Sequence, residues 1–120
     1  MIYSLVKLSL IFIALDIFVL NMLKPFFKWQ IYQVQHSPLK LDIFAGFLCY
    51  IILIFTLYFF IVSTHQSPFI ASLLGFCIYS IFELTTKSLF QNWSWLTVLV
   101  DSSWGAILFY LTTFLYYKLK

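Results

Sequence analysis

Residues 43–62 read IFAGFLCYIILIFTLYFFIV, twenty positions without one charged side chain. A helix rises about 1.5 Å per residue, so about 20 apolar residues cross the ~30 Å of hydrocarbon in a bilayer. The β-branched and aromatic residues crowded here would favour strands in water. In lipid, however, the backbone has to satisfy its own N–H and C=O groups, which an isolated strand cannot do. The stretch is therefore predicted to be a transmembrane helix.

The rest of the chain repeats this pattern. Apolar stretches place spans at about 2–23, 42–62, 68–89 and 96–117 of the 120 residues. Hydrophobic residues make up 63% and charged residues 9% of the chain, with a mean hydropathy of +1.00. A soluble domain carries about 25% charged residues, so there is too little polar surface for one. The expectation is an all-α, four-helix transmembrane bundle forming a single integral membrane domain over residues 1–120. Pro68 suits the first turn of the third helix, where its missing N–H has no partner to lose. Lys24 and Lys118 suit helix C-termini. Asp16 interrupts the first apolar run and no small-residue cleavage pattern follows, so that run reads as a retained helix rather than a signal peptide.

Between the first two spans, residues 26–35 read FFKWQIYQVQ. Phe27, Ile31 and Val34 share one helical face, which predicts a short amphipathic helix lying at the interface. Trp29 and Tyr32 would then sit at headgroup level, and Trp93 and Trp95 would anchor the same side of the membrane.

Three of the four acidic residues, Asp16, Glu83 and Asp101, fall inside the predicted spans. A charged side chain at a span's centre costs roughly 2.5–3.5 kcal/mol on insertion scales. Antiparallel threading puts all three in one leaflet, nearer the side reached at the end of span one (side A). Helical spacing sets companions beside them. Gly75, Tyr79, Glu83 and Lys87 form one stripe of span three. Asp101 and Gly105 lie on one stripe of span four, with Trp104 three residues after Asp101. Glu83 and Lys87 stand i, i+4 in the order that favours an ion pair, and the Trp104 indole N–H is placed to bond Asp101. Gly75 and Gly105 let membrane helices approach closely. Two readings of the cluster stand side by side. One is a buried polar network that fixes helix register, satisfied by Lys87, Trp104, Tyr79 and threonine hydroxyls. The other is a proton or cation site, or a polar pocket for a small ligand.

Other chemistry is thinly represented. Cys49 and Cys77 lie in apolar segments without CxxC spacing, and His36 and His65 fall in separate predicted loops, so neither metal nor cofactor is expected. The chain lacks a nucleophile–base pair, a His-rich box and a phosphate loop, so no catalytic residue is assigned and no enzymatic activity is expected. Its seven basic residues are all lysine and are scattered, with a net charge of +3. This excludes the basic runs that grip nucleic acid.

Residues 82–105, FELTTKSLFQNWSWLTVLVDSSWG, carry a recognisable pattern. Glu83-Leu84-Thr85, then Trp93, then Asp101 with Trp104 and Gly105, resembles the DUF2177 family of small multi-pass membrane proteins. Leu15-Asp16 and Phe26-Phe27-Lys28 are similar to its earlier segments. Val19 and Thr86 depart from the family's Trp and Asn. The resemblance implies four helices and the three acids as a set, and brings no activity with it.

Two functions follow as expectations. The first is a structural or accessory subunit of a larger membrane assembly, with aromatics at 22% supplying surfaces toward lipid and partners. The second is proton-coupled transport or ion conduction by a homo-oligomer through the intramembrane carboxylates. The partners expected are membrane lipid and either other membrane subunits or further copies of the chain. The sequence leaves open whether the membrane is organellar, viral or bacterial. Lys24, Lys28, Lys40 and Lys87 on side A, against Lys7, Lys118 and Lys120 opposite, lean toward side A being cytoplasmic or matrix-like.

Overall fold

The computed structural model describes residues 1–119, which form four helices and, among those residues, no strand. α1 runs Ile2–Gln35, α2 Ile43–Leu57 with a wider π-type turn over Tyr58–Val62, α3 Pro68–Leu89 and α4 Trp95–Lys118. All four are long and apolar enough to cross a membrane. The long axis measures 45 Å, which exceeds the ~30 Å hydrocarbon core.

Local chemistry sets the helix ends. Asp42, Ser67 and Ser94 cap the N-termini of α2, α3 and α4, their side chains accepting from the N–H groups of Ala45, Ile70 and Thr97. Each bond satisfies a first-turn donor that has no partner within its helix. Pro68 occupies the first turn of α3. α1 stops where His36 turns left-handed, with φ 56°, and its N–H bonds the Tyr32 carbonyl at 2.8 Å. The π-type turn places Ser63 N–H on Tyr58 O and Gln66 N–H on Ile61 O, each five residues back, before His65 reverses the chain at φ 57°.

α4 is the centre of the bundle. Buried side chains recur along it from Thr97 and Val98 through Leu108 and Phe109 to Thr112 and Thr113. α3 packs against it most extensively and α1 next, while α2 touches chiefly α1. At the α3–α4 seam a Cβ on Gly75 would lie 2.3 Å from the Gly105 carbonyl oxygen, and one on Gly105 would lie 2.4 Å from the Tyr79 ring. Side chains this small are how membrane helices come together without a hydrophobic driving force.

The two ends are tied differently. On side A the α1 end meets the α3–α4 loop. On the opposite side Lys7 donates to the Leu119 carbonyl and stands over the Tyr116 ring, and the Tyr117 hydroxyl donates to Gln66 O at 2.7 Å.

One expectation about this region needs correcting. Residues 26–35 are helical, yet they form no separate interfacial helix. They continue α1 past Pro25, giving a 34-residue helix. Pro25 removes one i→i−4 bond, and the continuation is held from outside by Gln30 and Gln33, which bond to the α3–α4 loop.

Candidate functional site: a buried acid cluster

Asp16 lies about halfway along α1 and is 6% exposed. It accepts two hydrogen bonds, from the Tyr50 hydroxyl of α2 at 2.5 Å and from the Trp104 indole of α4 at 2.8 Å. One carboxyl thus ties three helices together. Glu83 of α3, 1% exposed, accepts from the Trp93 indole at 2.8 Å. Asp101 of α4 neighbours Glu83 and lines a cleft with Tyr79 and Phe82 of α3. Tyr79 packs edge-on to Phe109, with its ring across Gly105.

This arrangement departs from the sequence expectation at three points. Lys87 forms no ion pair with Glu83. Its ammonium donates instead to the Gln91 carbonyl at 3.3 Å and stands 5.6 Å from the Trp95 ring centroid. A lysine one turn from the end of α3 reaches the polar loop at less desolvation cost than the bundle interior. The Trp104 indole bonds Asp16 of α1 rather than Asp101 of its own helix, because α4 faces α1 there. Trp93 does not stand at the headgroups with Trp29 and Trp95. It is 6% exposed because its N–H turns inward to Glu83, while the other two are exposed.

Two constellations escaped the sequence reading. Tyr50 was hidden as one aromatic among many in the apolar α2. The other is a clasp around Gln30, which is fully buried. Its amide NH₂ donates to Asn92 O at 2.9 Å, and its carbonyl accepts from Ser94 N–H at 2.8 Å and from the Thr97 hydroxyl at 2.5 Å. Asn92 answers by donating to Gln33 O at 3.2 Å. The clasp fixes the α3–α4 loop, and with it Trp93, over Glu83. A glutamine three residues after Phe27 and four before Val34, and so on the edge of the apolar stripe itself, was the available signal.

The chemistry open to the cluster is that of carboxyls served by neutral donors. Among the described residues, no group of three or more His, Cys, Asp or Glu is arranged to hold a metal ion. Clefts flank α2. Two between α1 and α2 have volumes of about 380 and 460 Å³, and one between α2 and α3 has about 240 Å³.

A family model described as "Predicted membrane protein (DUF2177)" matches residues 1–117. No curated protein and no solved structure matches the chain.

Proposed function

The chain belongs to the DUF2177 family of predicted membrane proteins, and from that premise we propose that it acts as an accessory subunit packed within a larger membrane assembly, without catalysis of its own. The observation that carries this reading is how α2 is held. Ile54 and Leu57 anchor its C-terminal half in the core, but its first half meets its own chain chiefly along α1, pinned by the Tyr50–Asp16 bond, with clefts on both flanks. Its outer face presents Phe44, Ile51, Phe55 and Phe59, each about half exposed or more. Association in lipid rests on van der Waals packing, and a helix packed so incompletely by its own chain gains most from helices supplied by a partner. The acid network suits this role, because it fixes the register of α1, α2 and α4 from inside and leaves α2's outer face free.

Mild-detergent purification of the tagged chain, with mass spectrometry of everything retained, tests the reading. A defined set of membrane proteins at fixed ratio is expected. A lone chain or a pure homo-oligomer would refute it.

A second reading, proton or cation movement by a homo-oligomer, draws on one observation. Asp16, Glu83 and Asp101 lie together, and the nearby ammonium, Lys87, is engaged elsewhere. Proton flux in liposomes that is abolished by Asp101→Asn would favour it, and flux unchanged by that substitution would end it.

A further inference from the structure

At the end of the bundle opposite side A, the start of α1, the end of α2 and the end of α4 surround a pocket of about 320 Å³. Its lining carries the hydroxyls of Ser4, Tyr58, Ser63, Tyr116 and Tyr117 and the imidazole of His65, and no carboxylate. The wide π-type turn that ends α2 shapes it, running from the Tyr58 carbonyl to the Ser63 N–H. Turns of this type are rare and recur at functional sites. Two of the hydroxyls are spent on backbone, Ser63 donating to Phe59 O and Tyr117 to Gln66 O. Among the described residues, the hydroxyls of Ser4, Tyr58 and Tyr116 and the His65 ring have no hydrogen-bond partner. Lys7, about one turn along α1 from Ser4, stands 4.4 Å from the centroid of the Tyr116 ring. Its ammonium gives one N–H to the Leu119 carbonyl, which leaves two.

Charge and depth narrow the occupant. All four acidic side chains lie far from this end. Asp42 caps α2 on side A, and Asp101 lies six residues into α4 from that side, counted from Trp95. Asp16 and Glu83 follow the first residues of their helices, Ile2 and Pro68, by 14 and 15 positions, about 21 and 22 Å along the axis. The charge of Lys7 is therefore unopposed by any acidic side chain, and the pocket attracts an anion. Its walls come from the first turn of α1 and the last turn of α4, which is headgroup level rather than hydrocarbon. Just beneath it, Leu5, Ser9 and Ile13 of α1 face Ile54 and Phe55 of α2 across an apolar cleft of about 380 Å³, room for an acyl chain. A fatty-acid carboxylate would leave most of the pocket unfilled, whereas a glycerol phosphate occupies more of it and brings more acceptor oxygens to the hydroxyls and to Lys7. A zwitterionic head would bring its own cation against Lys7. We propose that this pocket binds the phosphate of an anionic phospholipid, with Lys7 as its cation and one acyl chain in the α1–α2 cleft. This assignment does not rest on the subunit reading, because lipid retained by the chain is read whether or not other proteins accompany it.

The test uses the full chain in mild detergent, titrated with dioleoylphosphatidylglycerol and read by native mass spectrometry, with dioleoylphosphatidylcholine, oleate and sodium phosphate as comparators. One phosphatidylglycerol per chain is expected, held about fivefold or more tightly than phosphatidylcholine or oleate. Sodium phosphate should leave its retention unchanged. Lys7→Gln should lose about fivefold of the affinity. Ser4→Phe, which fills the pocket and leaves Lys7 in place, should lose it as well. Lys40→Gln removes the same charge from the side A loop and should bind as the parent does. Equal retention of the two phospholipids or of oleate, undiminished binding in Ser4→Phe, or equal losses in Lys7→Gln and Lys40→Gln would overturn the assignment. Displacement of the lipid by sodium phosphate would make this a site for free phosphate and overturn it too. Should Lys7→Gln fail to fold, the Ser4→Phe result and the preference between the two phospholipids decide it.

Discussion

Gly75→Ala and Gly46→Ala are the same chemical change on two membrane helices, and the structure predicts opposite signs. Alanine favours a helix over glycine by about 1 kcal/mol. At Gly46 the added Cβ meets nothing within 4 Å, so that gain stands alone. At Gly75 the Cβ would lie 2.3 Å from the Gly105 carbonyl oxygen and 2.6 and 2.8 Å from Phe109 Cγ and Cβ, where ordinary contact begins at 3.4 Å. The obstacles are a helix carbonyl and the root of a buried ring, neither of which can swing aside. α4 must retreat by about 1 Å, and a gap of 0.5–1 Å forfeits roughly a quarter to a half of each dispersion contact along the seam. Overpacking of this kind costs about 1–3 kcal/mol. Backbone contact puts Gly75 near the top of that range, which leaves a net loss of about 2 kcal/mol after the propensity gain. The two variants should therefore differ by about 3 kcal/mol, with the parent between them. Unfolding by a rising mole fraction of SDS in mild-detergent micelles, followed by tryptophan fluorescence, reads this directly. Midpoints that move together, in either direction, would refute the packing argument.

Three further outcomes follow from named contacts. Tyr50→Phe removes α2's bond to Asp16 and should cost about 0.6–1.7 kcal/mol in the same titration, the range measured for side-chain bonds between membrane helices; an unchanged midpoint would mean that the bond does not hold α2. Gln30→Leu strands the Ser94 N–H without its acceptor, costing about 1–3 kcal/mol, and hydrogen exchange should rise at Trp93–Val98 before it rises in α3. Lys87→Met should shift the midpoint by less than about 0.5 kcal/mol, because Lys87 meets a loop carbonyl and a ring rather than Glu83; a loss of 1–2 kcal/mol would restore the ion pair that helical spacing suggests.

The four crossings were legible because hydropathy and length act over twenty residues at a time, and no local detail overturns them. Threading of four spans likewise predicts, from the same long-range signal, that the three acids share a leaflet. Partner identity was not legible. Helical spacing sees only neighbours on one helix, so it paired Glu83 with Lys87 and Asp101 with Trp104. The structure pairs across helices, Glu83 with Trp93 and Trp104 with Asp16. Which face of α4 meets α1 depends on packing at Gly75 and Gly105, and no periodicity in α4 states it. Pro25 misled for a different reason. Proline marks a helix end only when nothing else sustains the helix, and here Gln30 and Gln33 sustain it from a loop some sixty residues away in sequence.

The polar network does not explain itself as a source of stability. Three carboxyls placed in spans cost together about 8–10 kcal/mol on the insertion scale. The three indole and phenol bonds that serve them contribute at most about 5 kcal/mol, even at the upper limit for membrane helices. Leucine or methionine at Asp16, Glu83 and Asp101 would insert more readily. What such a core would lack is discrimination. Apolar helices can slide or rotate against one another at little cost, whereas Asp16 is satisfied only where Tyr50 and Trp104 converge, and Glu83 only where the Gln30 clasp sets Trp93. Those two acids therefore select one register among many. Register selection of this kind requires that Asp16→Leu leave an inserted but loosely packed chain.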